Sequence, residues 1–234
     1  VRIYVIASAQ HNSPFGSEPA KDHSQFLVNP LPAGDILRAL MVALDQWVTK
    51  RIEPPPSRYP TIKDRLLVVP TKTNGFPKIP GVNYVGLYNR QLFLDYGSSI
   101  LNGKMATHPP KPIGDGSYNI LVPKVDKDGN DVAGIRLPVI RVPIGTYTGW
   151  NLRPRGLAEG ELAGLLGSFI PFAKTKAARR KTGDPRLSLE ERYIDRDDYV
   201  RQISRAARLL VDQRYLLPED ADRMIEEAKK RRIR

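Results

Sequence analysis

The chain has no cysteine among its 234 residues. Disulfides, thiolate metal sites, iron–sulfur clusters and cysteine nucleophiles are therefore excluded. No apolar run approaches the ~20 residues that a membrane-spanning helix needs, so no span is expected. Also missing are the Gly-x-Ser-x-Gly nucleophile elbow, the phosphate-binding P-loop, a Gly-x-Gly-x-x-Gly turn after a strand, and the His-Glu-x-x-His zinc helix. Gly97-Ser98-Ser99 lies in a polar loop and Gly167-Ser168 precedes a Phe-Ile-Pro run, so neither serine has the strand–turn–helix setting of an activated nucleophile. No complete catalytic set can be assembled from motifs in this chain alone.

What is present is a globular mixture, 41% hydrophobic and 26% charged, of a length suited to one large domain. Lys and Arg exceed Asp and Glu to give a net charge of +12. The excess is spread evenly, +6 over residues 1–150 and +6 over residues 151–234. The one dense basic run, Lys229, Lys230, Arg231, Arg232 and Arg234, follows Glu226 and Glu227 on a helical pattern. A phosphate-neutralising patch and a cationic helix end that complements the helix dipole both account for it. No basic strand with interleaved aromatics accompanies it, so no nucleic-acid partner is expected.

The run Asp126-Lys127-Asp128-Gly129-Asn130-Asp131 opens like a calcium loop, but its sixth position is Asp131 and its twelfth is Leu137, where Gly and Glu are required. A hairpin turn, with Gly129 and Asn130 supplying positive φ, explains it better. No metal or organic cofactor is expected.

Three regions are expected. Residues 1–9 alternate and then run apolar, as a buried strand does, and end at Gln10-His11. After a Pro/Gly-containing loop, residues 35–48 carry Ile36, Leu37, Leu40, Ala43, Leu44, Trp47 and Val48 at helical spacing, and Pro54-Pro55-Pro56 stops the helix. Residues 1–56 thus read as the final strand, histidine loop and final helix of an α/β core. Residues 57–153 read as an irregular β-rich arm or cap, with β-prone runs at 65–69, 118–122 and 136–142 between Pro/Gly/Asn turns. Residues 154–234 read as mainly helical, with helices expected over 159–166, 189–193 and 197–213 and another starting at Pro218.

Of the three histidines, His23 and His108 lie in polar or Pro-rich coil. His11 ends a buried strand, where α/β sheets present side chains to a ligand crevice. There it can serve as a general base, or it can be an ordinary loop histidine. Tyr147 and Trp150 can line an acyl or aromatic pocket; equally, Trp150 can pack the arm onto the core while Asn151 and Arg153 satisfy loop carbonyls. Phe15, in the loop after His11, can help to cover such a site as part of a lid.

Six ordered segments carry a family likeness: residues 1–11, Pro54–Pro60, Val125–Pro138, Tyr147–Arg153, Gly167–Ala173 and Gly183–Tyr193. Together they resemble the C-terminal half of a group of bacterial proteins described as α/β-hydrolase domain-containing. The resemblance implies an ester hydrolase of the serine type with His11 as its catalytic histidine. It also implies that the serine nucleophile and the acid lie upstream, on an N-terminal hydrolase segment or subunit, and that residues 35–48 form the last helix of the core. The expectation is either a piece of a longer protein or a processed chain that stays with its other part, inactive as an isolated monomer. A small-molecule ester is the implied substrate. Two rivals remain: a non-catalytic structural or interaction subunit, and a basic nucleic-acid-associated protein.

Overall fold

The computed structural model describes residues 1–11, 19, 22–70, 75–84 and 86–233. Residues 3–7 are extended between two neighbours. Val5 N–H donates to Arg58 O and Arg58 N–H to Ile3 O, both at 2.9 Å; on the other side Ile135 N–H donates to Val5 O at 2.7 Å and Ala7 N–H to Ile135 O at 3.0 Å. Both pairings are parallel but amount to single bridges, Tyr4 with Arg58 and Ile6 with Ile135. The strand expected over residues 1–9 is shorter than its apolar run because its neighbours are short. Pro54–Pro56, just before Arg58, have no N–H to offer, and Gly134 turns the chain at φ +88° just before Ile135. A Cβ on Gly134 would stand 2.5 Å from Val5 O. Among the described residues no larger parallel sheet forms around this segment.

The main sheet is antiparallel, built from β1 (Leu27–Val28), β6 (Gly145–Thr148) and β7 (Ser168–Pro171) in the order β1-β7-β6. Its register sets Leu27 opposite Phe169 and Tyr147 opposite the same Phe169. β6 is buried along its whole length. Helix α1 (Ala33–Lys50) leads from β1. The 136–142 run, expected as a strand, instead contains the one-turn helix α2 (Pro138–Arg141), because Pro138 occupies its first turn, where a fixed φ favours helix.

No helix forms over 159–166. Gly156, Gly160 and Gly164 all take positive φ, at +87°, +85° and +62°, and the segment folds back through a Leu152–Leu162 bridge. The remaining helices are α3 (Lys176–Thr182), α4 (Leu189–Arg192), α5 (Arg196–Asp212) and α6 (Pro218–Lys230). Side chains cap three of them: Thr175, Ser188 in a capping box with Glu191, and Asp195. None of the helices described is long and apolar enough to cross a membrane.

Two clusters fill the core. Ile36, Ile135, Leu137, Ile140, Tyr147, Phe169 and Leu210 form one; Phe172, Tyr193, Tyr199 and Ile203 lie in the other. Arg186 is buried beneath the sheet with Asp184, 2.7 Å away, and it also donates to Thr146 Oγ1 at 2.8 Å and Ile170 O at 2.9 Å. A buried cation needs this many acceptors to offset its desolvation.

The arm begins where β2 (Leu67–Val68) pairs with β5 (Val122–Pro123) and continues as the hairpin of β3 (Leu92–Asp95) and β4 (Lys111–Ser117). Leu87, Tyr88, Phe93, Tyr96 and Leu101 are exposed along it.

Candidate active site

The segment that delivers His11 is held by unusual local geometry. Ser8 adopts φ +58°, a left-handed conformation that a side chain disfavours and that must be held by its surroundings. A reciprocal clamp holds it. Ser8 N–H donates to Asp131 Oδ2 at 2.7 Å, and Asp131 N–H donates to Ser8 Oγ at 2.9 Å. Ser8 O accepts from the fully buried Asn29 Nδ2 at 2.8 Å, which also donates to Thr148 O at 2.9 Å. Gln10, also buried, accepts from Gly167 N–H through Oε1 at 2.6 Å. A Cβ on Gly167 would lie 2.2 Å from Thr148 O, so only glycine permits this approach. Beyond these anchors His11 is exposed to solvent.

Beside this segment lies a cavity of about 320 Å³, between the root of the arm and residues 5–9. Ala9 lines it, and His11 follows two residues later, no more than about 7 Å of chain away. Phe76, Tyr84 and Trp150 make an aromatic wall, with Phe76 and Tyr84 stacked at 5.0 Å and Trp150 tilted against them at 5.5 and 5.7 Å. Tyr147 contributes to the wall from β6, although its ring packs mainly in the core, 4.9 Å from Phe169. Asp131 supplies a carboxylate at the cavity, and desolvation by burial raises its pKa above the ordinary value.

Of the residues singled out in the sequence, Tyr147 and Trp150 therefore meet at one cavity; His11 is not among its lining residues. Phe15 lies outside the described residues. Asn151 and Arg153 bond loop carbonyls: Asn151 Nδ2 donates to Phe26 O and Gly167 O, and Arg153 Nε to Leu162 O. Trp150 joins arm to body through the aromatic cluster, so it packs and lines the cavity at once. The 126–131 run forms a tight turn closed by a Val125–Asp131 bridge, with Gly129 at φ +82° and Asp126 Oδ1 accepting from Asp128 and Asn130 N–H. Among the described residues no group of three or more His, Cys, Asp or Glu is placed to hold a metal ion. Sequence reasoning missed Ser8, Asn29 and Asp131 as site-forming residues. Their partners lie 123, 119 and 21 positions away, beyond any local pattern.

No curated protein and no solved structure matches the chain. A family model described as "Alpha/beta hydrolase domain" matches residues 1–226, taking in the arm and nearly all of the helical region as well as the segment that ends at His11. With the family comes a hydrolase-type function, and the chain belongs to the α/β-hydrolase domain family.

Proposed function

We propose that this chain is the histidine-bearing, C-terminal part of a serine-type carboxylic ester hydrolase. His11 takes the proton of a serine hydroxyl as it attacks the ester carbonyl, then returns it to the departing alcohol. The serine, the acid that orients His11 and the oxyanion-hole amides come from an N-terminal hydrolase segment or subunit. In this reading residues 1–56 complete that core, and 57–153 form its cap apart from β6 and Ile135, Leu137 and Ile140, which lie in the main sheet and core. Tyr147 and Trp150 contact the substrate. The reaction needs no metal or organic cofactor.

The observation that carries this reading is the placement of an exposed histidine at the end of an anchored segment, within about two residues of an aromatic-walled cavity. A second observation supports the separate nucleophile-bearing partner. Leu37, Met41, Leu44 and Val48 form one stripe of α1, and each is exposed. A soluble protein rarely leaves such a stripe uncovered, and an α/β core is a natural cover for it.

The test is labelling and turnover in the assembled enzyme. A fluorophosphonate should label a serine on the partner segment, and His11→Gln should lower p-nitrophenyl ester hydrolysis by roughly 10³-fold or more. Hydrolysis unchanged by His11→Gln would instead favour an interaction subunit, whose contacts the same α1 stripe and the exposed arm would make.

A further inference from the structure

The proposed reaction leaves the cavity's one carboxylate without a role. Asp131 spends Oδ2 on the Ser8 N–H, and among the described residues nothing donates to Oδ1. The charge of Asp126 opposes its ionisation and that of Arg136 favours it. Around this acceptor the walls are apolar, including Val122, Leu162 and the Phe76/Tyr84/Trp150 cluster. A mainly apolar site with one carboxylate takes a ligand of matching pattern: an apolar body that fills the space and one donor that meets the acceptor. A volume of about 320 Å³ admits roughly ten non-hydrogen atoms, since a water-sized group occupies about 30 Å³.

We infer that this cavity is the specificity pocket for one half of the ester, and that it selects an apolar ring or branched aliphatic group bearing a hydroxyl or ammonium donor, which Asp131 Oδ1 accepts. The inference rests on the proposed hydrolase reading for the word "ester", but the binding itself does not. A donor-bearing ring satisfies Oδ1 without disturbing the Ser8 clamp. A ring bearing a carboxylate brings two like charges together in a desolvated site and is rejected. Selection of this kind works in both directions: the donor is rewarded, and an anion is repelled.

The experiment is calorimetric titration of the full chain, together with any segment that co-purifies, using benzyl alcohol, benzylamine and benzoate. Benzyl alcohol, benzylamine or both should bind, with benzoate at least tenfold weaker. Which of the two binds distinguishes a neutral donor from a cation. Asp131→Asn keeps an acceptor for the Ser8 N–H and removes the negative charge, so it should bring benzoate to within a few-fold of whichever donor probe binds wild type more tightly. Val122→Phe, which fills the cavity, should abolish binding of all three. The inference is overturned if no probe binds, if benzoate binds wild type as tightly as the tighter of the two donor probes, or if Asp131→Asn leaves that ratio unchanged. Binding is read without turnover, so the two proposals fail separately. Donor-selective binding in a protein whose hydrolysis ignores His11→Gln would sink the catalytic role of this chain and leave the pocket standing.

Discussion

Helices α1 and α5 are nearly equal in length and both are amphipathic, yet they use their apolar residues in opposite ways. Helix α5 buries Tyr199, Ile203, Ala206, Ala207 and Leu210 against the rest of the chain. Helix α1 buries Asp35, Ile36 and the small residues Ala33, Gly34, Ala39 and Ala43, while Met41 remains 65% exposed and Val48 74%. The caps differ too. Asp195 caps α5 through its side chain, whereas α1 starts after Pro32 with no side-chain cap. One helix packs most of its apolar face within this chain; the other leaves Leu37, Met41, Leu44 and Val48 exposed. An amphipathic pattern tells which residues seek cover, not which chain supplies it.

The largest effect expected from this contrast is in α5. Ile203→Ala should destabilise by about 2–5 kcal/mol, as a fully buried truncation does, read as a lower denaturant midpoint with the slope unchanged. Next comes the cap: Asp195→Ala should cost about 1 kcal/mol in the same assay.

Smaller still is a pH effect at the start of α1. Burial raises the pKa of Asp35, more than offsetting the pull of Arg223, 2.6 Å away. The folded state thus holds this proton more tightly than the unfolded chain. The resulting stability is fully present below the unfolded value near pH 4 and is lost as pH rises through the folded value. Asp35→Asn should flatten that part of the stability–pH curve.

The smallest effect is at the exposed stripe. Leu44→Ser should change the stability of the chain by no more than about 0.5 kcal/mol, yet it should weaken co-purification of the proposed hydrolase segment. A loss comparable to that of Ile203→Ala would erase the contrast between the two helices.

The local elements were largely legible in the sequence. Helix α1, the α4–α5 stretch and the start of α6 follow from apolar spacing, caps and Pro218. What misled was competition between local signals. β-prone residues 136–142 yield to Pro138, and the helical spacing at 159–166 yields to glycines at 160 and 164. Trp150 and Tyr147 stood out as aromatics, and His11 stood out by its place at a strand end. The clamp on Ser8 did not stand out, because nothing near Ser8 announces a left-handed residue and nothing near Asp131 announces its partner.

That clamp also has a consequence in time. Asp131 follows Ser8 by 123 residues, so at roughly 5–20 residues per second the ribosome needs about 6–25 s to make the partner that locks the turn. Until then the segment leading to His11 lacks both Asp131 and Ile135, and its exposed apolar backbone is open to other pairings. A nascent chain stalled before residue 131 should therefore be cut by protease between residues 3 and 11, and the completed chain should resist.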